Sequence, residues 1–356
     1  MTLLADVLDP AELAIAVETG LVRTQRHPSL PLVIYNYTEA CQYLGAWTPV
    51  TLACRGLIVD ESGRVVARPF NKFFNHNEAH APKLDGKVQV TDKSDGSLGI
   101  IYRDGSGVAV ATRGSFGSDQ AIHATTVLNT RYAGFLPPDG LTVLVEIIYP
   151  ANRIVLDYDG MDDLVLLGAV DIATGRSYGP EAVPDWPGPV VESFDYPTFA
   201  DALAAAPRDG REGLVVHFIE ADQRVKIKYA EYVRLHRLVT GLTARTVWDV
   251  LVHGGDLDAL LEPLPEEFHP WVRGVAAELT AGVEERAAAI EAAYATILAG
   301  LPDGWGRKEF AAAAVRSEHR GALFLRLDDK DYRPSLWQQA RPEGDRTPHG
   351  TKVTEE

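Results

Sequence analysis

Between Leu52 and Ala230 the sequence is cut into short apolar stretches by glycine-containing turns, and after about Val239 that texture stops. Short apolar runs bounded by Gly, Pro, Asn and Asp are the pattern of strands and their turns. LIVD, the turn ESGR and VVARPF predict a hairpin. KVQVTDK, SLGIIYRDGSGVAVATRG, LTVLVEIIYP, LVLLGAVDIATG, REGLVVHF and VKIKYA predict further strands. Ahead of them PAELAIAVETGLV has helical spacing of its apolar residues, and PLVIYNY reads as a strand. SDQAIHATTVLNTRYAG predicts a helix with Ser118 as its N-cap, and a shorter helix is expected from Asp195 to Ala206. Beyond Val239 the apolar period becomes helical, over Val247–Leu251, Trp271–Leu298 and EFAAAAVRSE. The expected fold class is α+β. A mixed domain with antiparallel sheets and helices spans 1–240, an all-helical C-terminal domain spans 241–340, and a polar, disordered tail spans 341–356.

The length of 356 residues suits two domains. The formal net charge of -16 argues against a protein that coats nucleic acid non-specifically, because that needs clustered Lys and Arg. It leaves room for a basic groove on an acidic body. No run is long and apolar enough to cross a bilayer, so no membrane partner is expected. The start, MTLLADVLDPAELAIAVETG, carries acids early and lacks the basic region of a signal peptide, which makes a cytoplasmic location the expectation. Cys41 and Cys54 show no metal or disulfide spacing and read as buried hydrophobes. The ten histidines form no HxH or HExxH group, and none is assigned a catalytic part.

The informative residues are charges inside or beside apolar strands. Lys93 ends KVQVTDK, and Asp95-Gly96, a hairpin-turn signal, follows it. Glu146 interrupts LTVLVEIIYP. Glu212 opens EGLVVHF. Lys226 and Lys228 alternate with Val225 and Ile227, so the two lysines share one strand face. An acid or a lysine in a buried strand is costly unless it is paired or meets a metal or ligand. Three lysines and two glutamates so placed suit a cleft for a polyphosphate and a divalent ion. Each also has an ordinary reading: a surface hairpin for KSDGS, an ion pair with Arg153 for Glu146, a turn for EG, a solvated strand face for KIK.

Taken in order, these segments resemble the covalent nucleotidyltransferases: DNA ligases, RNA ligases and capping enzymes. Lys93-Ser94-Asp95-Gly96-Ser97 resembles their KxDG motif, EGLVV their motif IV and KIK their motif V, with Glu146 in what looks like motif III. YNYTEACQYLGAWTPVTLACRGLIVDESGRVVARPFNKFFN, VEIIYPANRIVLDY and KIKYAEYVRLH resemble the RNA ligase 1 family, whose phage prototype reseals cut tRNA. The resemblance covers about Pro31 to Arg237. The helical part beyond it resembles no family named here.

The resemblance implies a nucleotidyltransferase (ATP-grasp-like ligase) domain and a three-step reaction. Lys93 takes AMP from ATP, the AMP passes to a 5′-phosphate RNA end, and a 3′-OH then seals the strand and releases AMP. A free lysine is nearly all protonated at pH 7, so a neighbouring cation such as Lys228, or a bound metal, would have to favour its neutral form. Lys226 and Lys228 would neutralise charge on the phosphate. Glu146 and Glu212 would organise Mg²⁺ or Mn²⁺. The resemblance places Arg55 near the ribose or phosphate, Lys72 on the outgoing pyrophosphate, and Arg113 on the ribose or an RNA phosphate. Asp95 and Gly96 would shape the turn beneath the amine. Tyr232 either stacks on a base or fills the core. The implied partners are ATP, RNA with 5′-phosphate and 3′-OH ends, cleaved tRNA as a candidate substrate, and a kinase or phosphatase that heals ends. DNA ligases and GTP-using capping enzymes usually carry a β-rich OB-fold after motif V, where this chain turns helical. A catalytically idle nucleotide- or RNA-binding protein would be expected to lack Lys93 or the motif V lysines, and all three are present.

Overall fold

A computed structural model describes residues 1–105, 107–264, 268–343 and 346–348. The chain forms two compact units, Met1–Arg234 and Leu235–Glu356.

The strands of the first unit, in chain order, are β1 (Val22–Arg26), β2 (Leu32–Tyr37), β3 (Arg55–Asp60), β4 (Val65–Ala67), β5 (Phe74–Asn75), β6 (Val88–Asp92) and β7 (Ser97–Arg103). They continue with β8 (Val108–Thr112), β9 (Leu141–Ile148), β10 (Asp163–Asp171), β11 (Ser177–Tyr178), β12 (Ser193–Phe194), β13 (Gly213–Phe218) and β14 (Gln223–Lys228). They make three sheets among the described residues, ordered β1-β2-β3-β4, β11-β10-β9-β7-β8 and β12-β6-β13-β14-β5. Neighbours are antiparallel except β14 and β5, which run parallel.

β7 and β9 are buried on both faces, which is why they read as nearly continuous apolar runs. Ile101, Val143, Val145 and Ile147 pack with Ala124, Val127 and Leu128 of the helix Asp119–Arg131. Ile100 and Leu144, on the opposite face, pack with Ile34 of β2 and Ile58 of β3. Ser118 caps the helix Asp119–Arg131 as its sequence predicts, accepting the Ala121 N–H at 3.2 Å.

Two local expectations change. PAELAIAVETGLV is helical only over Pro10–Glu18, capped by Asp9, and Val22 already belongs to β1. VRTQR buries Val22 alone, so it carries no alternating apolar signal. It is a strand because its backbone pairs with β2, from Val22 opposite Tyr37 to Arg26 opposite Val33. TDKSDGSLGII is not a hairpin. β6 pairs with β12 and β13, whereas β7 pairs with β8 and β9. Lys93–Gly96 is therefore a crossover between two sheets.

The regular elements among the second unit's described residues are all helices. Its helix His269–Ala299 buries Val272, Val275 and Ala276 with Val247 and Leu261. Further along, Val283, Ala287 and Ile290 pack with Phe310, Leu323 and Leu336. Within the expected tail, Arg346 makes two contacts with the helical unit. The Arg346 carbonyl accepts the Ala244 N–H at 2.8 Å, and its guanidinium meets Glu278 at 2.8 Å. Residues 344–345 and 349–356 of that tail lie outside the described residues.

Candidate functional site

Main-chain pairing assembles the centre of the site. Asp92 at the end of β6 lies opposite Leu214, and the Lys93 N–H donates to the Gly213 carbonyl at 3.0 Å. On the other side of β13, Gly213 lies opposite Lys228. Three segments remote in sequence thus end side by side. Lys93 Nζ stands 2.8 Å from Glu212 Oε1, and Lys228 Nζ stands 3.0 Å from the same oxygen. Glu212 is wholly buried and Lys93 nearly so. At low dielectric such a carboxylate needs its cations and they need it.

Two glycines make this contact possible. A Cβ on Gly213, at φ +154, would lie 1.9 Å from the Ile227 carbonyl oxygen. A Cβ on Gly96 would lie 2.6 Å from the Ile147 carbonyl oxygen and 3.0 Å from Glu146 Cγ. Glycine is required at both for close approach of another strand. Glu146, opposite Leu98 across β9 and β7, accepts the Gly96 N–H at 3.0 Å and so borders the same crossover. Arg153 meets Asp157 at 2.9 Å.

Asp95 is a clamp. One carboxylate oxygen accepts the Val155 and Leu156 N–H groups, each at 3.0 Å, and the other accepts the Tyr232 hydroxyl at 2.6 Å. Its own N–H donates to the Tyr158 hydroxyl at 2.7 Å. Burial pushes the Tyr158 phenol far above its ordinary pKa. Tyr232 is 3% exposed, and Lys228 Nζ lies 5.4 Å from its ring centroid. Of the two readings of Tyr232, the buried one fits.

The lysine face of β14 extends to a third cation that sequence reasoning missed, Arg224. Each of the three sits over a ring: Arg224 at 4.1 Å from Phe70, Lys226 at 5.2 Å from Phe73, Lys228 over Tyr232. Lys226 is buried, so KIK is not a solvated strand face. Arg55 lies 5.5 Å from the Phe73 ring and shares it with Lys226. Lys72 occupies an aromatic cage, 5.5 Å from the Trp47 and Phe74 rings and 5.6 Å from Tyr37. Arg113 lies 4.9 Å over Tyr37 and donates to its hydroxyl at 2.7 Å. Burial lowers the Lys72 pKa, and the nearby charges of Arg55 and Arg113 lower it further.

Five cations thus gather beside the crossover or on its aromatic flank on a chain of net charge -16, and Arg224 lies at the far end of β14, opposite His217. The arrangement can hold a polyanion and put one amine against it. No group of three or more His, Cys, Asp or Glu able to hold a metal occurs among the described residues. Glu146 and Glu212, two carboxylates at the crossover, fit a water-rich ion shared with phosphate. Sequence reasoning also missed Asp92, which Arg208 and Arg211 pair beside Lys93. It missed Asn152, which accepts the Ser97 hydroxyl at 3.2 Å. No periodicity marks these residues, because their partners are remote in sequence.

The model of a family described as RNA ligase, of the T4 type 1 class, matches residues 53–232. An RNA ligase of Rhodothermus phage RM378 is 23% identical over 88% of this chain and 85% of its own length. A putative RNA ligase of Thermovibrio ammonificans is 30% identical over 36% of this chain and 36% of its own length. An uncharacterised protein of Ostreid herpesvirus 1 is 35% identical over 40% of this chain, which spans 39% of that protein. Among solved structures, a Naegleria gruberi RNA ligase with ATP and Mn is 20% identical over 43% of this chain and 52% of its own, at a TM-score of 0.34. No described helix is long and apolar enough to cross a membrane.

Proposed function

The chain belongs to the RNA ligase family, and from that premise we propose that it is an ATP-dependent RNA ligase that joins 5′-phosphate and 3′-OH ends through a lysyl-AMP on Lys93. The observation that carries this reading is the single oxygen of buried Glu212 shared by Lys93 and Lys228.

An ammonium paired to a carboxylate is not a nucleophile. Lys93 has to lose its proton and turn from Glu212 to the substrate. Lys228 then keeps Glu212 compensated, so the amine can leave without stranding a buried anion. Lys93 Nζ attacks the α-phosphorus of ATP. A P–N bond forms, the bond from the α-phosphorus to the bridging oxygen breaks, and pyrophosphate departs. Lys226 and Lys228 neutralise the phosphoryl oxygens, and Lys72, Arg55 and Arg113 receive the rest of the polyphosphate and the ribose. An RNA 5′-phosphate oxygen next attacks the AMP phosphorus, breaking the P–N bond and freeing Lys93. The 3′-OH finally attacks the 5′-phosphate of the adenylylated end, forms the phosphodiester and expels AMP. Mg²⁺ or Mn²⁺, held by Glu146 or Glu212 together with phosphate and water, would supply further charge neutralisation. The natural substrate class is a broken RNA, with cleaved tRNA as one candidate, whose ends have been prepared by a kinase or phosphatase.

Incubation with α-labelled ATP and Mg²⁺ should give a covalent adduct on the protein that Lys93→Ala abolishes. The adduct should chase onto 5′-phosphorylated RNA. Absence of an adduct with ATP sinks the reading, and labelling by GTP alone moves it to capping chemistry.

A further inference from the structure

The sheet that carries Lys93 has a second concave feature at its opposite end. Val88 pairs with Phe218 there, whereas Lys93 meets Gly213 at the other end of the same two strands. A cavity of about 480 Å³ opens at this end, lined by Val88–Val90, Ser177–Gly179, Ser193–Pro197 and His217. Gln89 is four residues before Lys93, or about 13 Å along the strand.

The floor is fixed by a buried polar network. Asp222, at φ +50 in the turn from β13 to β14, accepts the Ser177 N–H and hydroxyl. It also lies 2.9 Å from His217 Nε2. Arg224 donates to the same Ser177 hydroxyl. Burial lowers the His217 pKa, which disfavours the doubly protonated ring. With the Nε2 proton given to Asp222, Nδ1 is a bare acceptor. His217 is 6% exposed, and Nδ1 is buried with no hydrogen-bond partner among the described residues. A buried acceptor left unpaired is costly, and the His217 residue borders the cavity.

The rest of the wall says what kind of ligand. Phe194 and Tyr196 form an offset pair, with centroids 6.0 Å apart and planes at 29°. Arg208 braces the Phe194 ring from 4.2 Å. Exposed Lys87 and Arg176 border the cavity. Glu181 and Asp195 border it too, and Glu181 is engaged by Gln89 Nε2 at 2.8 Å and the Gly179 N–H at 3.1 Å. Flat apolar faces, acceptors for an amine and cations at the rim are together the chemistry of a nucleobase and its phosphate.

We propose that this cavity is a second nucleotide-binding site, apart from the Lys93 centre. The base lies against Tyr196 and Phe194, an amino group of the base meets the carboxylates at the rim, and the phosphate meets Lys87 and Arg176. The nucleotide is either free or one unit of an RNA strand, and the strand version rests on the ligase reading given above.

The full-length chain should be compared with a Tyr196→Ala, Lys87→Gln double variant. The probes are AMP in equilibrium dialysis and a fluorescent single-stranded oligoribonucleotide of about four units with a 5′-hydroxyl, which cannot be adenylylated. Base stacking on one aromatic side chain is worth about tenfold in affinity, so the variant should lose about that factor or more for one probe. Loss of the oligonucleotide identifies an RNA site. A second equivalent of AMP, present in the wild type and absent in the variant, identifies a free-nucleotide site. Labelling of Lys93 by ATP should be unchanged, which also shows that the variant is folded. Wild-type binding of both probes by a normally labelled variant overturns the proposal. Lys93 labelling reads the ligase assignment and the binding ratio reads this one, so the two can fail separately.

Discussion

Lys93 Nζ lies 2.8 Å from Glu212 Oε1, although the two residues come from different segments of the chain. Lys228 shares that oxygen. Glu212→Gln should leave two ammonium groups against a neutral amide in a buried place. Breaking such a buried charge set costs about 3 kcal/mol or more. The expected outcome is a clear fall in melting temperature together with loss of at least about nine-tenths of the ATP labelling. Unchanged melting and labelling would show that the ion pair contributes to neither.

Gly213→Ala tests the strand geometry alone. The new methyl group would meet the Ile227 carbonyl oxygen at 1.9 Å, an atom that cannot rotate away. β13 and β14 would have to separate, and with them Glu212 and Lys228. The protein should be insoluble or melt far below wild type. Gly210→Ala is a fair control for space, because nothing lies within 4 Å of its Cβ position, although at φ +64 it carries the usual left-handed penalty.

Tyr232→Phe removes one hydroxyl from the Asp95 clamp and keeps the ring under Lys228. A buried carboxylate that loses one of its three donors should cost about 1–3 kcal/mol. Thermal or urea unfolding should register that loss. Labelling of Lys93 should fall less than in Asp95→Ala, where all three donors lose their acceptor. Equal loss in the two variants would give the Tyr232 hydroxyl, and not the two backbone donors, the main part.

Lys72 gives the pH dependence. Its folded pKa is below the ordinary value of 10.5, so between the two values the unfolded chain holds more protons than the folded one. Stability therefore rises with pH across that window, and below it the full cost of charging Lys72 in its cage is present. Lys72→Met should raise the melting temperature of the ligand-free protein at pH 7 and reduce ATP labelling. The stability gain should shrink as pH approaches 10.5. A variant less stable than wild type at pH 7 would mean that the Tyr37, Trp47 and Phe74 rings compensate the charge fully.

The sequence by itself determined a good deal. Apolar runs between glycine turns marked β3, β6 to β10, β13 and β14, most plainly β7 and β9, because a strand buried on both faces has no room for polar residues. The change of period near Val239 falls inside the helix Ala230–Thr240, which follows β14 and opens the helical part of the described chain. Charges embedded in those strands drew attention to Lys93, Glu146, Glu212, Lys226 and Lys228, because burial of a charge is too costly to be incidental. Only the tertiary structure decided how they meet. KSDG reads locally as a hairpin turn, yet β6 and β7 pair with other strands and the segment crosses between sheets. β1 has no apolar alternation and exists through backbone bonds to β2. The Asp95 clamp, the rings beneath Arg224 and Lys226, and the Tyr37 and Trp47 walls of the Lys72 cage join residues far apart in the chain. Propensity and periodicity act over a few neighbouring residues. The cost of an unpaired charge is settled by whatever the fold brings within about 4 Å of it.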